Sequence, residues 1–384
     1  MRRAEAAFVV ATLAGAVSCA DAPSPESTDA LRLVWYPGES TETWPQARAG
    51  LDWSLSQLGA TPPEDGGAQI EITTFSDRVE FVLDVARLGL SAEGQEVLAA
   101  VTAELATDEP GADVGRFLMR SLQEPWRYYA MTGACSSRSE WEAKEQPAPL
   151  AYAVTTSQLS AAHRRVLLNS APEGIDAIAF LAEEGSGSLV DGDFVVGESE
   201  VVDVMTNGQF RYAVYDDTGV LIPAGKTSPS GTPGKCSWCH EWHIQPGTAE
   251  NQSASGYLSY AAFMIERDAA QARIEAHRDA LATSVDYETY EVHAYAERLV
   301  EGFLFPDAAR VAAEWQVPAA TVVATLGHGE LAQSDFGWTN RYARADVDAA
   351  APTAPSVTSL PSARELADDD VPVSAPAPSC DGAR

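Results

Sequence analysis

The pentapeptide Cys236-Ser237-Trp238-Cys239-His240 constrains this chain more than any other feature. It is a C-x-x-C-H sequence, the attachment signature of c-type haem. The spacing has a physical reason. Two thiols about one helical turn apart can each add to a haem vinyl group, and the adjacent imidazole then meets the iron from the proximal side. Cys236 and Cys239 are therefore expected to form the thioether attachments and His240 to bind the metal as proximal ligand. Two other chemistries use the same residues. The two thiols can close a disulfide, or they can join His243 and a fourth ligand around zinc. His240-Glu241-Trp242-His243 has two residues between its histidines, so it is not the H-E-x-x-H helix of zinc proteases.

The N-terminus names the compartment. Arg2 and Arg3 precede an apolar run from Ala6 to Val17, followed by Ser18-Cys19. That run is too short to cross about 30 Å of hydrocarbon at about 1.5 Å per residue, and residues 1–18 read as an export signal. Ala16-Val17-Ser18-Cys19 resembles the bacterial lipobox, so Cys19 is the expected lipid carrier; the alternative is an ordinary signal peptide cut near the same point. Residues 19–42, Pro-, Ser- and Asp-rich from Ala20 to Ala30, read as the tether of a lipoprotein in the periplasm or at the cell surface. The balance of 25 Lys+Arg against 56 Asp+Glu gives a net charge of −31, which excludes nucleic acid as a partner and adhesion to anionic lipid. Membrane contact is then expected through the lipid alone.

Periodicity implies an α+β fold. Residues 43–149 read as a helical domain: Leu51, Leu55 and Leu58 keep one face, and Val97, Leu98, Val101 and Leu105 another, with Ser91 as an N-cap. Trp126-Arg127-Tyr128-Tyr129 reads as a core plug. Residues 150–348 read as a central antiparallel sheet, the C-x-x-C-H attachment loop and a helical C-terminal part. Within the sheet, Asn207-Gly208 signals a two-residue hairpin. Pairing Thr206 with Gln209 would put Val201, Met205, Phe210, Tyr212 and Val214 on one face, and Val220-Leu221-Ile222 would add a third strand. Helices are expected at 257–282, 287–303, 306–316 and 318–327, the last two imitating a helix-turn-helix whose second helix has no Lys or Arg. Residues 349–384, Pro-rich and acidic, read as a disordered tail.

Asp113-Val114-Gly115-Arg116-Phe117, Tyr128-Tyr129-Ala130-Met131-Thr132-Gly133, the Asn207-Gly208 hairpin and Gly234-Lys235-Cys236-Ser237-Trp238-Cys239-His240-Glu241 together resemble a family of exported bacterial proteins with a single haem-attachment motif, cytochrome c-like lipoproteins, over about residues 45–348. The resemblance implies organisation and one covalent haem c, and no particular reaction. More distantly, a sheet followed by C-x-x-C-H is similar to hydroxylamine-oxidising enzymes whose haem is cross-linked to a lysine. In those the motif lies near the C-terminus, whereas here a long helical region follows it, and Lys144, Lys226 and Lys235 are not placed to match.

The expected function is electron transfer or haem-based redox chemistry with a redox partner protein. The rivals are a non-haem binding lipoprotein with a disulfide or zinc clip, and a peroxidase- or oxidase-like haem enzyme. For the iron's sixth position the sequence offers Met205, Met264, His277 and His293, with preference for the 257–293 helices that follow the motif. His163 reads as a strand-surface residue. Cys135 has no assignable role, and Cys380 reads as a candidate free thiol in the tail. Replacing Cys19 by Ser is expected to move the protein from the membrane to the soluble exported fraction with its folding intact; membrane partitioning that stays unchanged would refute the anchor.

Overall fold

The computed structural model describes residues 30–38, 43–61, 68–105, 111–146, 150–154, 163–168, 175, 178–226, 232–240, 243–244, 255–281, 285–287, 290–329, 338–350 and 380. The export signal, Cys19 and nearly all of the expected tail lie outside them. The fold is α+β. Its first layer is a four-stranded sheet of β1 (Ala30–Trp35), β2 (Ile70–Thr74), β3 (Val79–Asp84) and β4 (Ala112–Asp113), in the order β2-β3-β1-β4. β3 pairs antiparallel with β1 and β2, and β4 runs parallel to β1. Helices α1 (Trp44–Gln57), α2 (Ala92–Leu105), α3 (Val114–Ser121), α4 (Pro125–Thr132) and α5 (Arg138–Glu145) complete this part.

Here the structure corrects the sequence reading. Residues 43–149 are not purely helical, and β1 occupies the end of the segment expected as tether. The strands are short and only partly alternating: Leu31, Leu33 and Trp35 are buried while Arg32 is exposed, Val34 is buried as well, and Val79, Phe81 and Leu83 are buried in β3. Glu80, between two of these, is itself buried because Arg32 and Arg78 hold its carboxylate. The helical readings hold at α1 and α2, where Leu51, Leu55, Val97, Leu98, Val101 and Leu105 are buried and the Ser91 hydroxyl accepts the Gly94 N–H.

The second layer is a five-stranded antiparallel meander, β5 (Leu150–Val154), β6 (His163–Leu168), β7 (Ala179–Ser186), β8 (Val195–Val204) and β9 (Phe210–Asp216), each strand paired with the next. Val220 and Leu221 make only isolated bridges, to Ser137 and Tyr215, and add no full strand. After α6 (Pro233–His240) come α7 (Tyr260–Ala280), α8 (Tyr290–Leu304), α9 (Ala308–Trp315), α10 (Ala319–Leu326) and α11 (Arg344–Ala350). The four helices expected after the motif are thus present within a few residues. α9 and α10 pack through Val311, Trp315 and Val322, the core role that the lack of Lys and Arg in α10 implies. One continuous core joins both sheets, α2 to α5, α7 and part of α8, with no break at residue 149.

The β8–β9 register differs by one residue from the expected one. Val204 faces Phe210, Asp203 faces Arg211 and Val202 faces Tyr212. The Met205 N–H donates to the Gln209 carbonyl (2.8 Å) and the Gly208 N–H to the Met205 carbonyl (2.9 Å), enclosing a three-residue loop with Gly208 at φ +83°. A two-residue type I′ turn would also need positive φ at Asn207. Asn207 serves another purpose. Its buried amide donates to the carbonyls of Ser56 and Ala60, each at 2.8 Å, tying the hairpin to the C-terminal end of α1. A one-residue slip reverses every side chain, so Phe210 and Tyr212 share a face with Val202 and Val204, and Met205 lies on the opposite one.

α7 crosses this sheet. At one end Phe263 stacks on Tyr152 of β5, with centroids 4.3 Å apart; at the other the Arg278 Nε–H reaches the Gly208 carbonyl at 2.8 Å. Residues 263 to 278 span about 22 Å at about 1.5 Å per residue, close to the roughly 19 Å of four strand spacings. The C-terminal end is fastened too. Cys380 forms a disulfide with the buried Cys135, after the turn that ends α4, so it is not the free thiol expected in a loose tail. Asn207→Leu is expected to strand two buried carbonyls and to lower stability by about 2–4 kcal/mol, read from the denaturant midpoint; a loss under about 0.5 kcal/mol would contradict the role given to this amide.

Candidate functional site

The C-x-x-C-H motif lies on α6, not in a loop. The Gly/Pro-rich approach ends at Pro233, which fits the first helical turn where no N–H is needed. The Cys236 N–H donates to the Thr232 carbonyl (3.0 Å), and the buried Ser237 hydroxyl donates to the Gly234 carbonyl (2.8 Å). Gly234 packs so closely on the Gln123 side chain that a Cβ would come within 2.5 Å of it. Cys236 and His240 stand four residues apart and share one helical face. Cys239 lies on the same helix, and its side chain is outside the described residues.

That shared face meets aromatic rings from two directions. The His240 ring lies 5.6 Å from Tyr212 and 6.4 Å from Phe210, both on β9. Cys236 packs against the main core beside Tyr128 and Tyr129 of α4. Burial raises the ionisation of both phenols well above the ordinary tyrosine value, and the sulfur of Cys236 raises it further. The phenols are also bonded: the Tyr128 oxygen accepts the Tyr212 N–H (3.1 Å), and the Tyr129 hydroxyl donates to the Ile222 carbonyl (2.9 Å). The aromatic core plug read from the sequence is thus real, and it also walls the motif. The sequence carried a signal for this in the close spacing of Trp126, Tyr128 and Tyr129 and of Phe210 and Tyr212.

On the other side, α7 grips the chain leaving α6. The Ile244 N–H donates to Gln271 Oε1 (2.9 Å), and the Arg267 Nε–H donates to the Ile244 carbonyl (2.7 Å). His243 precedes Ile244 and lies within the electrostatic reach of Arg267 and Arg278. Burial, then Arg267 and Arg278, lower its pKa below the ordinary histidine value, so it is held neutral.

The donors suit a c-type haem in kind and spacing: a thiol and an imidazole one turn apart on a helix, facing an aromatic surround. Among the described residues no group of three or more His, Cys, Asp and Glu converges on one metal position. The residues considered for a sixth ligand are dispersed. The sheet register turns Met205 away from Phe210 and Tyr212. His277 Nε2 is hydrogen-bonded to the Thr206 carbonyl at 2.8 Å. His293 is buried on α8 against Trp53 of α1, and Met264 packs on the main core. His163 opens β6 opposite Gly185, and its side chain lies outside the described residues.

No family model, curated protein or solved structure gives a significant match to this chain. Its chemistry therefore has to be argued from the motif and its surroundings. Among the described residues no helix is long and apolar enough to cross a membrane. Tyr128→Phe is expected to leave the buried Tyr212 N–H without its acceptor and to cost about 1–3 kcal/mol in chemical denaturation; an unchanged midpoint would show that this bond does not brace the wall behind Cys236.

Proposed function

We propose that the chain is an exported lipoprotein carrying one covalent c-type haem on α6, with an electron-transfer or haem-based redox role. Cys236 and Cys239 would hold the macrocycle through thioethers, and His240 would bind the iron. The observation that carries this reading is the alignment of Cys236 and His240 on one helical face, set against the aromatic surface of Tyr128, Tyr129, Phe210 and Tyr212. Such a surface excludes water, which lowers the local dielectric and favours a low-charge iron state. The haem supplies the redox chemistry. The chain's part is to fix the imbedded donors, shield them from water and keep His243 neutral beside them.

The Cys135–Cys380 disulfide supports the export half of the reading. A disulfide closing so long a loop persists in an oxidising compartment, which is also where haem is attached to C-x-x-C-H proteins. The sequence supplies the matching signal at its N-terminus. Protein matured with a c-haem assembly system is expected to keep its haem after denaturation and to show the mass increase of one haem; Cys236→Ala with Cys239→Ala is expected to abolish both. An unmodified mature chain from a host with a working attachment pathway, or stoichiometric zinc in its place, would overturn the reading.

A further inference from the structure

Cysteine is scarce in this chain, and each of the five has to be accounted for. Cys19 is the expected lipid carrier, and Cys236 and Cys239 belong to the motif. That leaves Cys135 and Cys380, joined to each other across 245 residues. Cys135 lies just beyond the wall of the motif. α4, whose Tyr128 and Tyr129 stand beside Cys236, ends three residues before it. The Ala134 N–H donates to the Tyr129 carbonyl (2.9 Å), and the Cys135 carbonyl accepts the Tyr215 hydroxyl (3.1 Å). The Tyr129 phenol thus has Cys236 and the tyrosine that holds Cys135 both within electrostatic reach, inside one continuous core.

A thiol in this position is a hazard to haem attachment. A thioether forms when a cysteine S–H adds across a haem vinyl group, sulfur to one carbon and hydrogen to its neighbour. A sulfur already bonded to another sulfur has no hydrogen to give. Along the chain the harmful pairing is the easier one, because Cys135 is less than half as far from Cys236 as from Cys380 and the shorter loop costs less chain entropy to close. A chain exported from its N-terminus also brings Cys135, Cys236 and Cys239 into the oxidising compartment before Cys380 arrives.

We propose that Cys380 guards the haem-attachment motif: it draws Cys135 into a disulfide and so returns Cys236 to the thiol state. This rests on the haem and export readings above. A disulfide oxidase of the compartment first takes two electrons and two protons from Cys135 and Cys236, linking them. The Cys380 thiolate then attacks the Cys135 sulfur. The bond to Cys236 breaks, the Cys135–Cys380 bond forms, and the Cys236 sulfur leaves as a thiolate that takes up a proton. One disulfide is lost and one is made, so this exchange needs no added reductant. Folding favours the product, in which Cys135 is 1% exposed and shielded from thiols in solution.

The test uses the full chain exported in a host with a c-haem assembly system, as wild type, Cys380→Ala and the double variant Cys135→Ala with Cys380→Ala. Covalent haem per chain is measured by mass spectrometry, and disulfides are mapped by peptide analysis after thiols are blocked in acid. A wild type without covalent haem fails the haem reading and this inference with it. With haem in the wild type, Cys380→Ala is expected to lose covalent haem several-fold and to yield a peptide linking Cys135 to Cys236. The double variant is expected to recover the wild-type haem content, which a mere staple could not do, since it lacks the same disulfide. Cys380→Ala with wild-type haem content, or without the linked peptide, would overturn the guard and leave the haem reading intact. Should Cys380→Ala fail to accumulate, the double variant decides: haem at the wild-type level supports the guard, and a depleted or unfolded double variant overturns it.

Discussion

The grip on the β8–β9 hairpin tip is the constraint from which the site follows. Three successive carbonyls at the tip are taken by three side chains: Thr206 by His277, Asn207 by Tyr287 and Gly208 by Arg278. The Asn207 amide meanwhile donates to two carbonyls at the end of α1, and the Gln209 amide meets Gln57 and Ser56. Nearly all of these groups are buried, so each unmade bond would carry a desolvation cost of about 1–3 kcal/mol. The tip therefore binds α1, α7 and the sheet into one body and leaves the strands a single register.

That register decides the chemistry of both sheet faces. On one, Arg211 pairs with Asp203, whose other oxygen accepts the Trp141 indole N–H, and Arg211 also donates to the carbonyls of Thr132 and Gly133. This locks β9 to α4 and α5. On the other, Phe210 and Tyr212 are left to meet His240. A slip of one residue would exchange the faces, placing Arg211 before the imidazole and the aromatic pair in the charge network. The buried ion pair thus acts as a device for register as much as for stability.

Much of this was legible in the chain. The helices from α7 to α10, the capped α2, the aromatic plug and the antiparallel sheet all declared themselves by spacing. The N-terminal strands did not, because five or six alternating residues between amphipathic helices give a weak period-two signal, and the buried Glu80 interrupts it. The hairpin register departs from the one the sequence implies for a definite reason. Asn-Gly is read from its local conformational preference, whereas here the Asn side chain is committed to a tertiary contact with α1. The Cys135–Cys380 pair was equally hidden, since a connection across 245 residues leaves no local pattern. Of the site itself, the motif and its donors were plain, while the α4 wall depended on packing that no spacing reveals.

The central claim is that α6 carries haem through covalent bonds. It is tested most directly by extracting the purified, matured protein with acidified organic solvent and recording the pyridine haemochrome spectrum of the residue. The account predicts that the colour stays with the polypeptide and that its α-band has the position of a haem with both vinyl groups saturated by thioethers. Haem that leaves with the solvent, or a residue with no haemochrome bands, would contradict it.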